Sequence, residues 1–212
     1  MTIQEEYHQK LADTLIKNLK KRQMDAVYCA TAKEAADLAL SYVPSGSKVS
    51  FGGSMSLTES GIMDCLRGRE DITLFDRSAA KTPEEIKQVY HDALSSDYYF
   101  MSTNALTIDG ELVNIDGNGN RLAALIYGPE HVIIVCSLNK VVSDVEAAVS
   151  RVRNQATPPN CIRLSKATPC ASTGVCADCF APDCICNQIV VTRRSGNPDR
   201  IKIILVGENL GY

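Results

Sequence analysis

Leu11, Leu15, Ile16 and Leu19 recur at helical spacing among charged neighbours, which predicts an amphipathic helix filling most of residues 1–24. Short apolar runs and helical patterns then alternate. Strands are expected at about 26–29, 48–51, 72–75, 97–102 and 132–136, the last a continuous apolar run of buried-strand character. Helices are expected at about 31–42, 83–94, 119–127 and 142–153, with another starting near 56–58. Two carry explicit start signals. Thr31 precedes Glu34 by one helical turn and Thr82 precedes Glu85 likewise, each a capping box, and Pro83 occupies the first helical position. Asp109-Gly110, between the apolar runs 106–108 and 111–115, favours a tight hairpin turn.

Strands alternating with helices to about residue 155 predict an α/β fold, a mostly parallel sheet flanked by helices on both faces. After Thr157-Pro158-Pro159 the pattern breaks. A cysteine-rich loop is expected over 157–187, and two strands in 188–212 are expected to add to the sheet edge. The whole 212-residue chain reads as a single domain.

Composition narrows the possible roles. With 45% hydrophobic residues there is material for a sizeable core, and a net charge of −3 gives no reason to expect nucleic acid or an acidic membrane as partner. No run approaches the ~20 apolar residues of a membrane helix. The first residues carry acids where a secretory signal would carry bases, so a cytoplasmic location is expected.

In that compartment the cysteines stand out. Five of nine fall in the run P-C-A-S-T-G-V-C-A-D-C-F-A-P-D-C-I-C-N, at Cys170, Cys176, Cys179, Cys184 and Cys186. Thiolates at such spacing can converge on one soft metal centre. Cys29, Cys65, Cys136 and Cys161 are scattered, three of them in or beside apolar segments, and read as small buried hydrophobes. Five candidates exceed the four a cubane cluster or tetrahedral ion requires. Cys170, Cys176, Cys179 and Cys186 form the preferred set, with Cys184 the spare, although spacing alone leaves the last two open. An all-sulfur, sequence-local set suits a 4Fe–4S iron–sulfur cluster. Zinc is the alternative, though it more often uses two C-x-x-C knuckles and only one exists here. Free thiols or a Cys176–Cys179 disulfide complete the possibilities.

Two further segments bear polar chemistry at strand ends. Gly52, Gly53 and Ser54 join a strand to a helix, where backbone N–H groups could cradle an anion, and Glu59 follows in reach. The segment S-T-N-A-L-T-I-D-G-E-L-V-N-I-D-G-N-G-N-R brings Thr103, Asn104, Asn114, Gly117, Asn120 and Arg121 close in sequence. Asn139 and Lys140 end the next strand. Open α/β sheets place ligands at such strand ends, so a crevice for a small anionic metabolite is expected, with Asp109 or Asp116 as general acid or base. The ordinary alternatives are βα turns and Asx turns without chemistry. Neither a P-loop lysine motif nor a G-x-G-x-x-G fingerprint is present, and no Ser/His/Asp set can be assembled.

The runs F-G-G-S-M-S-L-T-E-S-G-I, T-N-A-L-T-I-D-G-E-L-V-N-I-D-G-N-G-N-R and G-P-E-H-V-I-I-V, with the cysteine motif T-P-C-A-S-T-G-V-C-A-D-C, resemble the LUD (lactate-utilization) domain family and its stand-alone, cysteine-bearing members. That resemblance implies a fold of the ribose-phosphate isomerase, glucosamine-phosphate deaminase and CoA-transferase type. It implies cysteine at Cys170, Cys176, Cys179 and Cys186, and a role beside iron–sulfur systems that oxidise lactate. The expected function is an iron–sulfur protein that binds a hydroxy acid or sugar phosphate. The rivals are an isomerase- or transferase-like enzyme stapled by zinc and a non-enzymatic redox or ligand sensor. A homo-dimer or a redox partner protein is compatible with either.

Overall fold

The computed structural model describes all 212 residues. Helix α1 (Ile3–Lys21) opens on a Thr2–Glu5 capping box and buries Ala12, Leu15 and Leu19 on one face. The elements that follow are β1 (Asp25–Cys29), α2 (Ala32–Ser41), β2 (Lys48–Phe51), α3 (Met55–Glu59) and α4 (Ile62–Arg67). Next come β3 (Thr73–Phe75), α5 (Pro83–Leu94), β4 (Tyr98–Met101), β5 (Ala105–Thr107), β6 (Leu112–Asp116), α6 (Asn120–Ile126) and β7 (His131–Ser137). The chain ends with β8 (Val141–Val142), α7 (Val145–Arg151), α8 (Thr157–Arg163), α9 (Pro169–Thr173), β9 (Gln188–Thr192) and β10 (Ile201–Val206). Both capping boxes expected from the sequence form, with Thr31 and Thr82 each accepting the N–H of the glutamate at the third helical position.

Six strands form an entirely parallel sheet in the order β1-β10-β7-β4-β2-β3. Its central strands are apolar throughout because both faces are covered. On β7, Val132, Ile134 and Cys136 face a core closed by α1 and α6, while Ile133 and Val135 face one closed by α2 and α4. β10 alternates in the same way, with Ile203 and Leu205 on the first face and Ile204 and Val206 on the second.

Three features depart from the sequence reading. The last two strands do not form a pair at one edge. β10 lies inside the main sheet between β1 and β7, where its apolar run requires cover on both faces, and β9 joins a second sheet. That second sheet, β8-β5-β6-β9, is mixed, with the β5–β6 hairpin antiparallel, and it packs Ala105, Val113 and Ile115 against Ala148, Val152 and Ala156. Finally, helix continues through the proline pair. A π turn at Val152–Ala156 joins α7 to α8, with the Thr157 N–H reaching Val152 O. Pro158 and Pro159 then fall in the first turn of α8, where missing donors cost little.

Candidate functional site

The parallel strands end along one edge of the main sheet, and a crevice of ≈ 450 Å³ opens there. β2 runs into Gly52-Gly53-Ser54, β4 into Ser102-Thr103-Asn104, and β7 into a short 3-10 turn, Leu138–Lys140. The second sheet supplies the opposite wall through Asp116 and Gly117 at the end of β6. Gly53, Ser54, Thr103 and Asn104 line this space, as do Asp116, Gly117, Asn120, Arg121 and Lys140. Sequence reasoning therefore brought most of the right loops together.

Five residues stand elsewhere. Asp109 sits exposed at the β5–β6 turn, where its carbonyl accepts from Arg22 Nε at 2.6 Å, so its carboxyl is away from the crevice. Asn139 is exposed, and its carbonyl accepts from Arg151. Glu59 accepts the Gly211 N–H at 2.6 Å and so tethers the C-terminal segment. Asn114 is buried behind the wall. Gly52 also lies behind it, where a Cβ would stand 3.1 Å from both the Arg121 side chain and the Tyr99 hydroxyl. The glycine is there for close packing. Ser54 Oγ accepts the Leu57 N–H and so caps α3, while Gly53 and Ser54 line the crevice.

Arg121 is a strut. Its guanidinium donates to Asp116 Oδ1 at 2.6 and 2.9 Å, to Asn114 Oδ1 at 2.5 Å, to Asn104 Oδ1 at 2.8 Å and to the Ser102 carbonyl at 3.1 Å. Asp116 is committed in turn, since its other oxygen accepts the Leu122 N–H. The pair stitches the loop after β4 to the start of α6. A carboxylate held this way is a poor choice of general base, and a guanidinium held this way has no fork left for a ligand. Arg77, whose Nη1 donates to the Tyr90 hydroxyl, and Arg163, which donates to Asn160 Oδ1, are the two arginines in the crevice without an acid partner.

The side chain that best fits chemistry is Lys140. It is 4% exposed, and its Nζ donates to Ser56 Oγ at 2.7 Å and to Ser102 Oγ at 3.1 Å, with no carboxylate in contact. Burial pulls its pKa down to about 8, and the nearby Arg151 and Arg121 act in the same direction against Cys136 and Glu59. Sequence reading placed Lys140 among the ligand residues; Ser56 and Ser102 lie in the quoted strand-end runs but were given no role, and Arg77 lies in no motif and was missed. The fold alone brings Ser56 and Ser102, 46 residues apart in the chain, to one amine.

The cysteines gather in a second cavity of ≈ 290 Å³ between α8, α9 and the segment before β9. Cys170, Cys176, Cys179, Cys184 and Cys186 line it, and Cys161 joins them. Cys161 is fully buried, as its reading as a small buried hydrophobe expects, and it also faces the thiol cavity. α8 carries it into the cavity, where burial pushes its thiol up to about 11 and Cys170 and Cys186 are close enough to add to the shift. Burial likewise raises Cys186, whose Sγ lies 3.6 Å from Thr157 Oγ1. Arg153 closes one side through Cys176 and Asp178. The donors are all soft sulfur, which suits thiolate-ligated iron or zinc. As arranged, no three of them converge at metal-ligating distances. The two cavities share a wall, Cys184, Ile185 and Asn187.

The model of the LUD domain matches residues 12–206. The chain belongs to the LUD domain family. A DUF162 family protein from Deinococcus radiodurans has a similar structure at a TM-score of 0.52 and 12% identity, covering 94% of this chain and 98% of that one, and shares the LUD fold. Ribose 5-phosphate isomerase A from Neisseria gonorrhoeae is similar over 57% of this chain and 62% of its own, at 16% identity and a TM-score of 0.34. eIF2B delta from Chaetomium thermophilum is similar over 65% and 54% respectively, at 16% identity and a TM-score of 0.37. No curated protein matches this LUD chain. None of its helices is long and apolar enough to cross a membrane.

Proposed function

We propose that this LUD-domain chain is a cytoplasmic protein of organic-acid utilization that holds an iron–sulfur cluster and binds a small anionic metabolite, a hydroxy acid or a sugar phosphate, beside it. The observation that carries this reading is the shared wall: a cavity lined by six thiols abuts a crevice containing Arg77 and Lys140. Cys170, Cys176, Cys179 and Cys186 are the ligands, and a cluster there would supply one-electron chemistry. The sulfur donors suit the cofactor: Cys170 on α9 and Cys176, Cys179 and Cys186 on the loop between α9 and β9 would hold it. Arg77 and Lys140 hold the anion, Ser56 and Ser102 orient the amine, and the Arg121–Asp116 strut keeps the loops in register.

Anaerobic purification followed by absorption spectroscopy with iron, zinc and acid-labile sulfide analysis tests the metal. Broad absorbance near ~400 nm with matched iron and sulfide supports the cluster. One zinc and no colour would replace it by a structural ion. Cys176→Ser should lose iron and sulfide while Cys184→Ser keeps them, and the opposite pattern would reassign the ligand set. Calorimetric titration with lactate, pyruvate and ribose 5-phosphate tests the anion site, with Arg77→Ala expected to weaken binding about tenfold or more, the scale of one lost charge-assisted contact.

A further inference from the structure

An amine at the end of a parallel strand, almost wholly buried and without a counter-ion, is an unusual thing for a fold to maintain. Ordinary buried lysines pair with a carboxylate, because an uncompensated ammonium in a low-dielectric site is costly. Lys140 instead faces two hydroxyls that accept from it, while their own protons go to backbone carbonyls, Ser56 to Leu210 O at 3.3 Å and Ser102 to Thr103 O at 3.2 Å, so neither brings a counter-charge. The positive charges around it, Arg121 and Arg151, stand on other elements and favour the neutral form. Of the two acidic groups acting on it, the buried Cys136 thiol is pushed up to about 11 and Glu59 is engaged with the Gly211 N–H. Lys140 also lines the crevice, so a small ligand can reach it.

We infer that Lys140 is a nucleophile that forms an imine with the carbonyl carbon of a small anionic oxo compound bound in the crevice. The shared chemistry is a ketone or aldehyde close to an anionic group, as in a 2-oxo acid or an open-chain sugar phosphate. The inference rests on the anion-binding reading above and names its substrate class. The neutral Nζ attacks the carbonyl carbon, forming a C–N bond while the C=O π pair moves to oxygen. That oxygen takes a proton, the nitrogen loses one, and a carbinolamine results. The nitrogen lone pair then expels the hydroxyl group as water, giving C=N and one released water molecule. Ser56 and Ser102 both accept from Nζ and can relay its proton to the oxygen once a hydroxyl turns from the backbone carbonyl it now serves. No oxidant or reductant is consumed.

Borohydride trapping tests this on the full-length protein. The protein is incubated anaerobically with pyruvate in one arm and ribose 5-phosphate in the other, reduced, and examined by intact mass and peptide mapping. The expected result is one adduct per chain, of mass equal to the oxo compound less one oxygen atom, mapped to Lys140 in at least one arm. The arm that labels identifies the source of the carbonyl. Trapping should rise with pH through the neutral-to-mildly-alkaline range and be blocked by an excess of lactate if lactate occupies the same crevice. Lys140→Arg, which has no nucleophilic amine, should give no adduct at that position. Calorimetric binding of pyruvate or ribose 5-phosphate without any adduct at Lys140 would overturn the imine and leave the anion site standing. Adducts spread over exposed lysines would overturn it as well. Absence of both binding and adduct would remove the anion-binding reading along with it.

Discussion

At Lys140 the cost of burial and the capacity for chemistry have the same origin. The folded state lowers its pKa from an ordinary lysine value to about 8, so the folded chain holds fewer protons there than the unfolded chain between about pH 8 and 10.5. Stability tied to this group therefore rises with pH across that window, and below it the full penalty for charging the amine is present. Lys140→Met should accordingly raise stability at pH 7 by on the order of 1–3 kcal/mol, and the gain should shrink toward pH 10.5 in paired denaturant titrations. A uniform loss of stability at every pH would show that the two serine contacts outweigh the buried charge. The Arg121–Asp116 pair behaves in the opposite way, because both side chains are about nine-tenths buried and each satisfies the other. Asp116→Asn leaves the guanidinium without its counter-charge and should cost about 3 kcal/mol or more, a fall in Tm of roughly 6–12 °C. In the sequence Asp116 and Arg121 looked like acid–base and clamp candidates. A one-dimensional pattern records the residue types of a site, and it does not record that one candidate has already consumed the other.

Among the elements, local signals were the most legible. The capping boxes at Thr31 and Thr82 formed because each needs only four consecutive residues to satisfy otherwise unpaired N–H groups. Thr82→Ala should cost about 1 kcal/mol in chemical denaturation, with α5 fraying first by hydrogen exchange. The Asp109-Gly110 hairpin also formed, and its glycine has a second duty. Gly110 has φ +90°, and a Cβ there would lie 3.1 Å from the Leu19 backbone N, so the turn seats directly on the end of α1. Gly110→Ala should destabilise by about 1–3 kcal/mol and loosen α1 from the hairpin, measured by protease sensitivity near residue 22. The proline pair misled for a physical reason. Prolines break a helix only where donors are needed, and the π turn before them ends one set of hydrogen bonds and begins another.

Across the whole molecule, the parallel α/β class was legible because alternating elements with apolar strands admit few other solutions. The positions of β9 and β10 were not, since a strand's sequence states how apolar it is and leaves its neighbours open. The same holds for the sites. The sequence by itself determined the element types, the caps, the membership of Gly53, Asn104 and Lys140 in strand-end loops, and the bunching of five cysteines, because all of these depend on residues close together along the chain. Only the tertiary structure decided that Cys161 joins those five, that Asp109 and Asn139 stay outside the crevice, and that Ser56 and Ser102 converge on a buried amine. Those relations arise where separate strands end side by side, and burial there, through loss of water, changes what a lysine or a thiol can do.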